Sequence, residues 1–385
     1  MQCIHSAQLV LLDRILENAW IRFDAGRIED FGQGKPPDSV ESFDGANRYL
    51  APGFIDIHVH GGNGSDFLDG TPEAFLTIAN YHLSRGTTSL CPTLATTTYE
   101  RMKDVLGAWE HVRSTSTAHL LPLHLEGPHL ATSKAGAQDP ALIRAATDEN
   151  ISWLVEHAAG ISQMTCAPEL PNALSLIERA AKAGIVLSAG HSEARQPEAQ
   201  AAIERGLTKV THQFNAMTYA AKSGLFRKPG LAEYALVEDR LSCELIADSF
   251  HVHPTLMKLA YGAKGPGKLA LISDALAGTG LPEGSQFMLG KLRCKMGPGY
   301  CLLADGSALA GSATCPIDQV RIMTNAVDVP LVDAVRMATH TPAKLLGIEH
   351  KCGEIQQGKA ADFVEFDAQF RVHRVWASGK LAHSN

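Results

Sequence analysis

The sequence predicts an α/β chain built on an eight-stranded (β/α)8 TIM-like barrel, with a small β-sandwich domain formed by both chain ends. Three observations carry that expectation: a strand-then-helix rhythm repeated eight times through the middle of the chain, polar residues gathered at the carboxyl ends of many of those strands, and short alternating strands at both ends. A doubly wound open sheet is the alternative architecture, but no GxGxxG fingerprint follows the first strand of the repeat.

Residues 1–50 hold short apolar runs broken by turn residues, AWIRF before Asp24–Gly26 and RIEDF before Gly32, which predict β-hairpins. The carboxyl-terminal segment repeats that texture in ADFVEFD and FRVHRVWASGKL. Residues 1–51 and 345–385 are therefore expected to pair as one composite β-sandwich beside a barrel spanning 52–344. The barrel strands read in order as GFIDIHVHG, TTSLCPTL, LLPLHLEGP, QMTCAPEL, GIVLSAGHS, KVTHQFNAM, LSCELIADSF and LALISDA. Helical segments separate them. SLIERAAKAG places Leu176, Ile177 and Ala180 on one face and ends at Gly184, while PEAQAAIERG opens with Pro197 in its first turn and closes at Gly206.

Composition sets outer bounds. With 45% hydrophobic and 19% charged residues among 385, the chain supports one large core and a small satellite, and excludes disorder throughout. A net charge of -7 leaves no basic footprint, so nucleic acid is not an expected partner and an anionic substrate has to be held locally. The eight cysteines form no CxxC pair and read as the reduced thiols of an intracellular protein. Near the start, Asp13 and Arg14 interrupt the apolar run and no small-residue cleavage site follows, so that stretch does not read as a secretion signal. No apolar stretch reaches the roughly 18 residues of a membrane span. The expectation is a soluble, cytoplasmic protein.

The candidate site follows from strand alternation. In GFIDIHVHG, Ile55, Ile57 and Val59 take one face and Asp56, His58 and His60 the other, so two imidazoles project side by side. Such a pair suits a metal, or else a hydrogen-bonded core. His124 and Glu126 share a parity in LLPLHLEGP, and Gly127–Pro128 ends that strand with Glu126 at the barrel mouth. His191 from SAGHS and His212 from VTHQF arrive at the same mouth. Asp274 closes the apolar run LALISDA, where burial without a cation or a reacting water would be costly. Each residue alone has a structural explanation; the set, spread over five strands, points to chemistry.

In this order PGFIDIHVHGG, HLEGP, AGHS, THQFNAM and ISDA resemble the amidohydrolase superfamily and, within it, the N-acetylglucosamine-6-phosphate deacetylase family. The likeness spans nearly the whole chain, taking in GTTSLCPTL, RKPGL, LAGS at 309–312 and the closing GEIQQGKAADFV. It implies that Glu126, His191 and His212 hold one divalent metal ion, and that His58 and His60, with Glu126 and Asp274, hold a second. Zinc is the first choice on ligand chemistry, and iron also fits. The resemblance further implies that Asn215, Ala216, Arg227 and His251 hold a sugar phosphate, some of them across a homodimer interface. One departure stands out. Gln138 in KAGAQDP occupies the place where many members carry a histidine that helps polarise the acetamide carbonyl, and glutamine can donate a hydrogen bond but carries no charge.

The implied reaction is hydrolysis of N-acetyl-D-glucosamine 6-phosphate to glucosamine 6-phosphate and acetate, with metal-activated water and Asp274 as acid/base. The galacto epimer is the alternative substrate, because spacing does not orient a hydroxyl. A cyclic-amide hydrolase often uses a carboxylated lysine on the fourth strand, which QMTCAPEL lacks. A nucleobase deaminase shares HxH, later histidines and an aspartate, yet HLEGP and NAM fit it badly. A catalytically silent relative would have lost ligands, and none is missing.

Overall fold

The computed structural model describes residues 1–38 and 41–385. Eight parallel strands form the barrel: β1 (Phe54–Val59), β2 (Thr87–Leu94), β3 (Leu123–Glu126), β4 (Ile161–Cys166), β5 (Val186–Ala189), β6 (Leu207–Val210), β7 (Ser242–Leu245) and β8 (Leu269–Leu271). Each pairs in parallel with the next, from β1 to β8. Closure comes just past β8, where the Asp274 N–H donates to the His58 carbonyl at 2.9 Å and the Ser273 N–H to Asp56 Oδ1 at 3.2 Å. The eight sequence segments are the eight strands, in the order read.

The helices form where periodicity placed them. Ala173–Lys182 buries Leu176, Ile177 and Ala180 and stops before Gly184, whose φ of 90° lies in the left-handed region that helix ends favour. Gln196–Ile203 carries Pro197 in its first turn, where a missing N–H leaves no bond unmade.

Both chain ends join one mixed sheet. Its order is Lys380–Ser384, Val372–Ala377, Phe363–Phe366, Tyr49–Pro52, Gln2–Val10, Ile15–Asp24 and Arg27–Gln33, with Glu41–Asp44 running parallel to Gln2–Val10. The seam between the ends is Tyr49–Pro52 against Phe363–Phe366. Ile4, Ile21, Phe23, Phe363 and Trp376 make its core. The hairpin predicted at Asp24–Gly26 turns through Ala25 and Gly26, both at positive φ, as a two-residue turn matched to strand twist requires.

A four-stranded antiparallel sheet, Gln286–Leu289, Leu292–Met296, Tyr300–Leu303 and Leu309–Ser312, lies between β8 and the helix Pro316–Val327. The sequence reading did not separate it from the barrel. Among the described residues, no helix is long and apolar enough to cross a membrane.

Candidate metal centre and substrate pocket

Each ligand-type side chain arrives at or just past the carboxyl end of a barrel strand. Asp56, His58 and His60 come from one face of β1 and its continuation, and Glu126 ends β3. His191, His212 and Asp274 follow β5, β6 and β8, with φ of 47°, 32° and 49°. Left-handed backbone is unfavourable for residues other than glycine and persists where the surroundings over-determine it. Directly after Glu126, Gly127 has φ 99°, and a Cβ there would lie 2.4 Å from Thr96 Oγ1. The turn that leaves Glu126 at the mouth therefore demands glycine.

The six predicted ligands converge, all of them buried. Glu126 Oε1 lies 3.1 Å from His212 Nε2, 3.2 Å from His191 Nε2 and 3.5 Å from His58 Nε2, and Oε2 lies 3.3 Å from His60 Nε2. Asp274 Oδ1 is 3.3 Å from His60 Nε2 and 3.5 Å from His58 Nε2. Imidazole nitrogens also face one another, at 3.3 Å between His58 and His60 and 3.1 Å between His191 and His212. The donor atoms form two groups, His58–His60–Glu126 and Glu126–His191–His212, which share one carboxylate.

That donor set fits a divalent cation. His58 Nδ1 lies 3.2 Å from Glu244 Oε2, and His191 Nδ1 lies 2.7 Å from the Lys134 carbonyl. Both partners accept, so each ring carries its proton on Nδ1 and turns a bare Nε2 to the centre. Buried lone pairs that face each other need a proton or a cation between them. The electrostatics agree. Burial disfavours charge on His60, yet its hydrogen bonds to Asp274 and Glu126 pull its pKa up to about 9, and His58 is raised by the same two carboxylates. Against burial, the imidazoles hold Glu126 and Asp274 below the usual carboxylate range.

A cavity of about 160 Å³ opens over the cluster, and Gln138, Asn215, Ala216 and His251 contribute to its wall. Asn215 Nδ2 bonds back to the carbonyls of His212 and Gln213 at 3.3 and 3.4 Å, which fixes the side chain beside the cluster. His251 Nδ1 bonds Asp248 Oδ2 at 2.6 Å; burial would lower this imidazole's pKa, but Asp248 raises it, favouring a cation in the pocket wall. Leu289, Leu309 and Ala310, from the antiparallel sheet after β8, supply apolar wall.

Two predicted contacts stand differently from the rest. Gln138 does line the pocket, but its Nε2 donates to Glu126 Oε2 at 2.6 Å and its Oε1 accepts from the Thr96 N–H at 2.6 Å. Its amide is bound to the shared carboxylate. Arg227 sits on the exposed hairpin Ala221–Ser223/Phe226–Lys228, beside Leu225 and Phe226, and is not among the residues lining the cavity. One chain by itself does not bring Arg227 to the site.

Sequence reading missed the layer below the imidazoles. Lys209 on β6, Gln163 on β4 and Glu244 on β7 are fully buried and hydrogen-bonded to one another through Lys209. Burial would raise the Glu244 carboxyl, but Lys209 and His58 hold it far below the usual range. Alternation in KVTHQF gives Lys209 the opposite parity from His212, so the local pattern carried no signal for this layer.

Relatives of known activity match over nearly the full length. The chain is 31% identical over 356 residues to N-acetylglucosamine-6-phosphate deacetylase of Vibrio furnissii, covering 89% of this chain and 87% of that protein. It is 32% identical over 381 residues to N-acetylgalactosamine-6-phosphate deacetylase of Escherichia coli O157:H7, covering 96% and 97%. Among solved structures, N-acetylglucosamine-6-phosphate deacetylase of Pasteurella multocida superposes with a TM-score of 0.93 at 29% identity, over 100% of both chains. A mutant of the Mycobacterium smegmatis deacetylase in complex with N-acetyl-D-glucosamine-6-phosphate gives 0.92 at 29% identity, over 100% of this chain and 99% of that one. With residues 49–382 matching the family model as well, the chain belongs to the amidohydrolase family, whose members are metal-dependent hydrolases.

Proposed function

We propose that this protein hydrolyses N-acetyl-D-glucosamine 6-phosphate to glucosamine 6-phosphate and acetate. One observation carries the reading: a carboxylate-bridged imidazole cluster, Asp274, and a rim of Asn215, Ala216 and His251 suited to an anion all meet in one pocket. The relatives named above supply the substrate class. In this reading residues 52–344 are the catalytic unit, and 1–51 with 345–385 the supporting β domain.

Glu126, His191 and His212 would hold one divalent ion, and His58 and His60, with Glu126 and Asp274, a second; zinc suits this donor set first, and iron also fits. An ion held there brings the pKa of a water to about 7 and polarises a carbonyl oxygen. Asp274 takes the proton of the water that attacks the acetyl carbonyl carbon. As the C–N bond breaks, Asp274 returns that proton to the departing amine. His251 and the Asn215–Ala216 backbone hold the phosphate, and a homodimer would bring the Arg227 hairpin of a second copy to the same end. The bound amide of Gln138 makes it a support for Glu126 first and a carbonyl donor second. The setting we expect is cytoplasmic, with a small-molecule substrate and neither nucleic acid nor membrane as partner.

Acetate release by metal-replete protein tests the proposal, with N-acetylglucosamine 6-phosphate, its galacto epimer and unphosphorylated N-acetylglucosamine offered in parallel. Fast turnover of the first with little of the third is the expected result. The Escherichia coli relative motivates the galacto arm, and preference for that epimer would move the substrate assignment to it. Silence on all three would overturn the deacetylase reading.

A further inference from the structure

The interior of a (β/α)8 barrel is ordinarily filled by layers of branched apolar side chains. Here the layer beneath the imidazoles is charged. Lys209 donates through Nζ to Glu244 Oε1 and to Gln163 Oε1, and Gln163 Nε2 donates in turn to the Ile57 carbonyl of β1. The second oxygen of Glu244 accepts from His58 Nδ1 at 3.2 Å. A hydrogen-bonded chain thus runs from a fully buried ammonium through a fully buried carboxylate to one imidazole of the cluster, tying β1, β4, β6 and β7 together. The other imidazoles lack this backing. His191 Nδ1 meets a backbone carbonyl, while His60 Nδ1 and His212 Nδ1 are buried with no hydrogen-bond partner among the described residues.

We propose that the Lys209–Glu244 pair is a positioning device for His58, and that it sets the affinity of the His58–His60–Glu126 group for its cation while leaving the Glu126–His191–His212 group nearly unchanged. The inference rests on reading the cluster as a metal centre. Stability alone gives the pair little to do, because two buried charges lose hydration that their attraction only roughly offsets. What the pair supplies is a fixed anion against Nδ1, which pins the ring's tautomer and orientation and raises the basicity of Nε2. Lys209 holds the other oxygen of that carboxylate, so Glu244 is fixed at both ends and the buried anion is not left unpaired. With the lysine in place, the negative charge of Glu244 is neutralised locally and stays out of the donor set above.

The test is zinc binding by the full-length protein, stripped of metal and titrated across buffered free-zinc concentrations, with ions per chain and melting temperature read on each sample. Lys209→Met/Glu244→Leu removes the charges and the acceptor at similar volume; Lys209→Met/Glu244→Gln removes the charges but keeps an acceptor for His58 Nδ1. We expect the first to weaken one of two zinc sites by about 10- to 100-fold and spare the other, and the second to recover most of the loss. Equal affinities in wild type and Lys209→Met/Glu244→Leu, or an equal fall at both sites, overturns the inference. If that variant does not fold, Glu244→Gln alone carries the test, since its amide oxygen will turn to the unneutralised Lys209 and abandon His58, with the same selective loss. A wild type that takes up no zinc, or only one ion, overturns the two-ion reading and this inference with it, and does so before any variant is compared.

Discussion

Replacing Asp274 by asparagine isolates proton transfer from everything else this side chain does. The amide has nearly the same shape and can keep the approaches to His60 at 3.3 Å and His58 at 3.5 Å. Asparagine also accepts the left-handed backbone at this position, φ 49°, as readily as aspartate does, whereas alanine would be strained there. What disappears is the capacity to take and return a proton. General acid–base catalysis contributes 10²- to 10⁴-fold, and Asp274 is assigned both transfers, so we expect kcat for acetate release to fall about 10⁴-fold, or roughly 5 kcal/mol in the barrier. Metal content has to be measured on the same samples. Glu126 and the four imidazoles remain in place, so the ions should stay. A kcat within tenfold of wild type at full metal content would refute the acid–base assignment; loss of activity together with loss of metal would instead make Asp274 chiefly a ligand.

Gln138→Ala leaves the buried Thr96 N–H and Glu126 Oε2 each short of a partner, and should lower stability by about 2 kcal/mol in urea unfolding. An unchanged midpoint would mean that water takes over both bonds. Arg227→Ala should raise KM for the phosphorylated substrate at least tenfold while leaving kcat and the rate on unphosphorylated sugar unaltered; steady-state kinetics on both sugars checks it. His119 bonds Asp362 at 3.1 Å, joining the barrel to the terminal sheet, and that hydrogen bond raises the imidazole's pKa against burial. Its contribution is fully present below the unfolded value of about 6.5 and is lost as pH rises through the higher folded value. His119 is 38% exposed, so the effect is small, roughly 0.5 kcal/mol, and the melting-temperature gap between wild type and His119→Ala should shrink from pH 5.5 to pH 8.5.

Much of this architecture was legible because it is written in local periods. Alternation in GFIDIHVHG separates Ile55 and Ile57 from Asp56, His58 and His60, and all eight strands were countable as short apolar runs alternating with helical segments. Glu126 was readable as a mouth residue because Gly127–Pro128 ends the strand directly after it, and the structure has Gly127 at φ 99° there. Three features resisted. The strands of the sheet at 286–312, four or five residues each, follow one another with no helix between them, so the strand-then-helix rhythm that marked equally short barrel strands was missing there. The Lys209–Glu244 pair joins two strands 35 residues apart, so its meaning exists only after the barrel closes; in isolation a lysine in KVTHQF reads as a solvated residue. Gln138 was readable as a departure from a family pattern, but its bond to Glu126 crosses a loop whose path no local period dictates.

The position of that lysine relative to the mouth makes physical sense once the charges are considered together. Glu126 and Asp274 are two buried carboxylates that approach the same two imidazoles, and neither has an ammonium or guanidinium within ion-pair distance among the described residues. Beyond the hydrogen bond from Gln138 to Glu126, what keeps these buried carboxylates ionised is nearby positive charge, which here can come from protons on the imidazoles or from a cation between them. His58 and His191 already hold a proton on Nδ1, so a second proton would occupy the very Nε2 atom that a cation needs. Protons and metal therefore compete for the same nitrogens, and the cation wins as pH rises. A free lysine at the mouth would have neutralised the carboxylates by itself and removed the attraction for an ion. Held one layer down and paired with Glu244, Lys209 leaves the field of Glu126 and Asp274 intact where the cation has to sit.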